Sequence, residues 1–132
     1  KLQKKYSNCV FIEGYDNGLA HLIEAGADFY LMPSRFEPCG LNQLYGFRYG
    51  TLPIVHGVGG LNDTVEDMNG DSGNGFKINR LTPAELSSGI NRALKLYTSK
   101  GHLNDARQRA MKLNYSWTVP SQSYQQLYHS HN

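Results

Sequence analysis

The chain has 132 residues, 39% of them hydrophobic and 18% charged; this is enough for one domain with a real core, burying about two-thirds of its unfolded surface, and it excludes a disordered tail. The formal net charge of +2 is too mild to call for nucleic acid or an anionic membrane as a partner. The two cysteines, Cys9 and Cys39, make no disulfide framework and fit reduced thiols in a cytosol-like compartment, while no apolar run approaches the ~20 residues of a membrane span and no signal peptide is expected.

The chain opens at Lys1 without an initiator Met and enters a helix-like pattern at once, as a piece cut from a longer protein would. Leu2 to Tyr6 reads as the tail of a helix, and the apolar run Cys9 to Ile12 as a short strand ending at Glu13-Gly14-Tyr15. After the turn residues Asp16-Asn17-Gly18, Leu19, Leu22 and Ile23 fall at helical spacing, and Gly26 stops that helix. Asp28 to Met32 reads as the second strand, closed by Pro33. Leu41, Leu44 and Tyr45 are expected to share the apolar face of a helix that ends near Gly50. Leu52 to Val55 is the third strand, followed by the loop Gly57-Val58-Gly59-Gly60 and a short helical stretch from Leu61. Asn69 to Asn74 reads as a flexible surface loop, and Phe76 to Ile78 as a weak fourth strand. Thr82-Pro83-Ala84-Glu85 has the form of a helix start, with Thr as N-cap, Pro in the first turn and Glu three residues after the cap; Leu86, Ile90, Ala93, Leu94 and Tyr97 then line one face. Leu103, Ala106, Ala110 and Met111 predict another helix. A last one, covering Val119 to Tyr128 within residues 116–132, carries Tyr124, Leu127 and Tyr128; Trp117 reads as the anchor that docks it, with covering a sugar as the alternative.

Strands alternating with helices predict an α/β fold, a Rossmann-like parallel sheet with helices on both faces. In such sheets ligands sit beyond the carboxyl ends of the strands. Tyr15, the segment Pro33 to Gly40 and the segment Gly57 to Gly60 all follow predicted strand ends, so three loops are expected to meet at one rim. The helix starting near Leu41 leaves its first N–H groups unpaired, and Gly40 permits close backbone approach. The amides of Gly40, Leu41 and Asn42 can therefore hold a phosphate; plain helix capping is the alternative reading. Beside them, an ionised Glu37 is favoured by the positive helix end but repels phosphate, so it should face neutral hydroxyls such as those of a sugar. The residues alone leave open a solvated loop glutamate, and Cys39 reads more readily as a small buried residue than as a reactive thiol. His21 reads as structural and His56 as a rim residue; no set of His, Cys and Asp has ligand spacing, so no metal site is expected.

The stretches "LMPSRFEPCGLNQLYGFRYGTLPIV" and "GGLNDTV", with "GYDNGLAHLI" and "NYSWTVPSQSYQQLY" more loosely, resemble the glycogen synthase and starch synthase family. That family consists of retaining glucosyltransferases with two Rossmann-like domains around a cleft, and residues 1–132 resemble most of its C-terminal, nucleotide-sugar-binding lobe. The resemblance implies that Glu37 hydrogen-bonds the donor glucose, that Cys39 and Gly40 place their backbone close to it, and that Leu41 and Asn42 offer amides to the donor phosphates. It further implies that Tyr15 stacks on the adenine of ADP-glucose, and that Gly59 and Gly60 border the donor pocket. Tyr45 stands where many related transferases carry a second glutamate, so one carboxylate must suffice. Asn17 and Gly18 depart from the usual residues of the Tyr15 loop, as does Val58 from a frequent Thr.

The implied reaction is transfer of glucose from ADP-glucose to the 4-hydroxyl of an α-1,4-glucan with retention of configuration. ADP-glucose is then a substrate and no cofactor is called for. The other implied partners are the glucan acceptor and the N-terminal domain of the same protein, which lies upstream with the arginine and lysine that neutralise the departing ADP. No nucleic acid or membrane is expected, and the compartment is the bacterial cytoplasm, or the plastid if the source is a plant. The alternatives are a relative using another donor such as UDP-glucose, or a non-catalytic module that binds nucleotide or glucan.

Overall fold

The computed structural model describes residues 2–69 and 72–130. In chain order the elements are α1 (Leu2–Lys5), α2 (Asn17–Gly26), β1 (Phe29–Met32), α3 (Asn42–Tyr49), β2 (Leu52–His56), α4 (Gly60–Thr64), β3 (Phe76–Ile78), α5 (Pro83–Thr98), α6 (Lys100–Met111) and α7 (Thr118–His129). The strands form one sheet in the order β1-β2-β3, parallel throughout, with Phe29 opposite Leu52 and Ile54 opposite Phe76. Parallel neighbours need a crossover between them; α3 supplies the first and α4 the second.

Strand alternation assigns the two faces. Phe29, Ile54, Phe76 and Ile78 share one face, on which α5 lies so closely that a methyl on Gly89 would stand 2.9 Å from Ile78 Cγ2. Tyr30 is on the other face, where its hydroxyl accepts a 2.8 Å hydrogen bond from Asn42 Nδ2 of α3. Helices therefore cover both faces, as predicted, and β2 is buried from Leu52 to Val55. The core continues through Phe47, Leu61, Val65, Met68 and the small inner residues Ala93, Ala106 and Ala110 of α5 and α6.

Several expectations fail, each for a physical reason. Cys9 to Ile12 is not a strand: the run is irregular, and Val10 (77%) and Phe11 (72%) are largely exposed. A strand needs a ladder partner, and this run has none among the described residues, so its apolar composition has nothing to act on. In α3 the buried face is Gln43, Gly46 and Phe47, while Leu41 and Tyr45 are exposed. Gly46 lets the helix approach the Thr51 carbonyl (3.2 Å for an added methyl), and that contact sets which side turns inward. Leu22 and Ile23 of α2 are also exposed. Trp117 docks nothing onto the core: it is 73% exposed and leans on Tyr124 of its own helix, ring centroids 6.5 Å apart. The Asn69–Asn74 loop is anchored at one end, where buried Asn74 accepts from Glu66 N (2.8 Å) and donates to the Thr64 carbonyl (3.2 Å); Gly70 and Asp71 lie outside the described residues, as do Lys1, His131 and Asn132. Among the described residues no helix is long and apolar enough to cross a membrane.

Candidate functional site

The loop from Pro33 to Leu41 leaves the carboxyl end of β1 and delivers the chain to α3. Residues 57–59 leave the carboxyl end of β2 and run into α4. The two segments touch backbone to backbone. Gly60 N donates to the Glu37 carbonyl at 3.2 Å. A methyl built on Gly59 would collide with that same carbonyl, and one on Gly60 with the carbonyl of Cys39. Gly59 also has φ +49°, where a side chain is strained. Glu37, Cys39, Gly40, Gly59 and Gly60 are thus brought together, as the sequence predicts.

Three polar side chains fix the junction. Gln43, fully buried, donates through Nε2 to the carbonyl of Gly40 (2.8 Å), more weakly to that of Cys39 (3.3 Å), and to Thr64 Oγ1 (3.1 Å). Thr64 in turn donates to the Gly60 carbonyl at 2.7 Å. Behind it, the Tyr115 hydroxyl donates to the Thr64 carbonyl at 3.0 Å; burial, then the nearby Glu66 charge, push this phenol above its usual value, so it keeps its donor proton. Sequence reasoning does not single out Gln43 or Thr64. Their only signal is that Gln43 shares a helical face with Gly46 and Phe47.

Glu37 is half-buried, and its Oε2 accepts from Ser34 Oγ at 3.3 Å. His56, at the end of β2, sits 2.7 Å through Nδ1 from the Ser34 carbonyl; a carbonyl only accepts, so Nδ1 carries the proton. Cys39 is exposed rather than buried. Gly40 takes φ +73°, which turns the loop into α3. No side chain caps the α3 N-terminus, so its first amides are free of side-chain acceptors where an anion would bind.

The remaining predicted residues are placed less uniformly. Tyr15 is not delivered by a strand; it precedes α2 and is 91% exposed. It nonetheless lines a groove of about 450 Å³ with His21, Tyr30, Tyr45 and Asn42, the first residue of α3; Glu37, Gly40 and Leu41 are not among the residues that line it. The side chain of Leu41 points away, into a groove of about 670 Å³ with Leu44, Phe47 and Tyr115; only its backbone can serve the site. His21, which also lines the Tyr15 groove, ties α2 to α3: Nδ1 lies 3.3 Å from the Tyr49 hydroxyl and 3.8 Å from Glu24.

The family "Glycosyl transferases group 1" matches residues 1–112 of the chain. A glycogen synthase of Myxococcus xanthus is 49% identical over 129 residues, covering 97% of this chain and 27% of its own length. One of Flavobacterium johnsoniae is 51% identical over 119 residues, covering 90% and 25%. Among solved structures, the catalytic domain of starch synthase IV from Arabidopsis thaliana, bound to ADP and acarbose, superposes with a TM-score of 0.78 at 32% identity, over 89% of this chain and 25% of that one. The chain thus spans about a quarter of the length of the relatives it matches.

Proposed function

The chain belongs to the group 1 glycosyl transferases, and from that membership we propose that residues 1–132 are the donor-binding, C-terminal lobe of an α-1,4-glucan synthase that uses ADP-glucose. The observation that carries the reading is the junction itself: a half-buried carboxylate, Glu37, fixed beside the uncapped N-terminus of α3. Diphosphate and sugar need opposite surroundings. The amides of Gly40, Leu41 and Asn42, with the helix dipole, favour the diphosphate. Glu37 accepts hydrogen bonds from glucose hydroxyls and holds the ring over the backbone of Cys39 and Gly40. Tyr15 offers its ring to the adenine from the neighbouring groove that Asn42 borders.

In the transfer, the bond from the anomeric carbon to the diphosphate breaks and its electrons go to the phosphate oxygen. The acceptor 4-hydroxyl attacks the same face and gives its proton to that oxygen, which retains configuration with no carboxylate nucleophile. The α3 amides stabilise the charge that develops on the leaving group. No cofactor enters the scheme. Relatives named glycogen synthase at about 50% identity and a neighbour bound to ADP support the donor assignment; the proposed setting is the bacterial cytoplasm, or the plastid if the source is a plant.

The test is Glu37→Gln in the full-length protein. It should cut glucosyl transfer at least ~100-fold, about 2.7 kcal/mol of transition-state stabilisation, while ADP affinity stays within about twofold, since Glu37 faces the sugar. Near-normal turnover removes Glu37 from the reaction. Parallel rates with ADP-glucose and UDP-glucose decide the base, and a preference for UDP-glucose overturns the donor assignment.

A further inference from the structure

Ser34 is engaged at both ends. Its carbonyl accepts from His56 Nδ1 at 2.7 Å, and its hydroxyl donates to Glu37 Oε2 at 3.3 Å. The two contacts form one chain: imidazole N–H to carbonyl, then hydroxyl to carboxylate. It runs from the end of β2 to the loop after β1, and all three side chains are half-buried. Resting on the donor-lobe reading, we propose that Ser34 and His56 are positioning residues that set the rotamer of Glu37. His56 fixes where Ser34 sits, and Ser34 occupies Oε2, so that Oε1 is the oxygen left for a sugar hydroxyl.

Two further observations support a positioning role. The Glu37 backbone is already clamped by Gly60 N, so what remains to be fixed is the side chain, and Ser34 contacts that. The Ser34–Glu37 bond is also longer than the about 2.7–2.8 Å usual for O–H···O, and bonds of this kind commonly tighten once the ligand is in place. The pair thus contributes mainly in the reacting complex, which predicts an effect on kcat rather than on donor affinity.

Ser34→Ala and His56→Ala, each in the full-length protein, should lower kcat by ~10-fold with the donor KM within about twofold, because a misplaced orienting group loses rate rather than binding. The double variant should be little worse than either single one, since both break the same chain. Asn and Gln at position 56 separate positioning from bulk: Asn can place an amide N–H where Nδ1 stands, and Gln cannot. His56→Asn should therefore keep most of kcat while His56→Gln loses it, a comparison that also holds if the alanine variant fails to fold. An inactive Glu37→Gln alongside unchanged kcat in Ser34→Ala and His56→Ala overturns the positioning chain and leaves the donor-lobe reading standing. Equal loss in His56→Asn and His56→Gln also overturns it. An active Glu37→Gln overturns both.

Discussion

A methyl on Gly60 would run into the carbonyl of Cys39, and the obstacle is backbone on both sides, so neither partner can rotate away. Gly60→Ala should therefore force apart the loops that carry Glu37 and the α3 N-terminus, at a cost of about 3 kcal/mol, the upper end of ordinary overpacking; urea unfolding measures it, and an unchanged midpoint would mean the loops are free to separate. Tyr15 is the opposite case. At 91% exposure it contributes nothing to the core, so Tyr15→Ala should leave the unfolding midpoint unchanged while weakening adenine-nucleotide binding by ~1–3 kcal/mol, the usual worth of one stacked base. A titration with ADP checks it, and unchanged affinity would make Tyr15 a bystander. The meeting of the candidate site's loops was legible in the sequence wherever it is carried by residue type: a glycine pair, a carboxylate and a helix start stand within 24 residues, from 37 to 60. Gln43, Thr64 and the Ser34–His56 chain were not legible, because their roles depend on which loop lies across from which. Only the parallel register of β1 on β2 brings Ser34 to His56.

The same distinction holds for whole elements. β1, β2, β3, α5 and α6 follow from apolar period and end signals, because each finds its cover within the chain. Cys9 to Ile12 and α7 carry equally apolar residues yet stay exposed, for a sequence pattern reports that a segment needs cover and not where the cover lies. The start of α5 shows how far local signals reach. Thr82 caps as predicted, its hydroxyl accepting from Glu85 N at 3.3 Å. Glu85 does not close on Thr82, however; its carboxylate reaches past it to Arg80 N (2.8 Å), Asn79 N (3.0 Å) and Arg80 Nε (2.9 Å), binding β3's exit to the helix. The Arg80 backbone N–H first, then its guanidinium, hold this carboxyl below the usual range. A depressed carboxylate stabilises fully above its unfolded value of about 4.3; the contribution fades as pH falls below that and is gone once pH passes under the folded value. Glu85→Gln should therefore be less stable than the parent near pH 7 and indistinguishable from it at pH values below the folded pKa. A gap that persists in acid would show that shape, not charge, holds the cap.

At the scale of the whole molecule, residues 1–132 span about a quarter of the length of their relatives, and on the proposed reading they form one wall of a reaction site. On that reading the donor side is the junction of Glu37 with the start of α3, and Tyr15 lines the neighbouring groove that Asn42 borders. Glucosyl transfer has two further requirements. The acceptor hydroxyl must be held against the anomeric carbon, and such positioning is worth several kcal/mol. Charge on the departing diphosphate must also be neutralised, and the proposed reading gives that task to an arginine and a lysine of the N-terminal domain. Residues 1–132 alone should therefore show no incorporation of labelled glucose from ADP-glucose into glycogen. ADP should still bind, because the α3 N-terminus and the Tyr15 groove do not depend on the acceptor. The decisive experiment compares 1–132 alone, the full-length protein, and 1–132 mixed with the remainder of that protein. Transfer should be seen with the full-length protein, and in the mixture only if the two parts associate. Transfer by residues 1–132 alone would mean that the acceptor site and the leaving-group charges lie within this chain, and that the donor lobe is a complete catalyst.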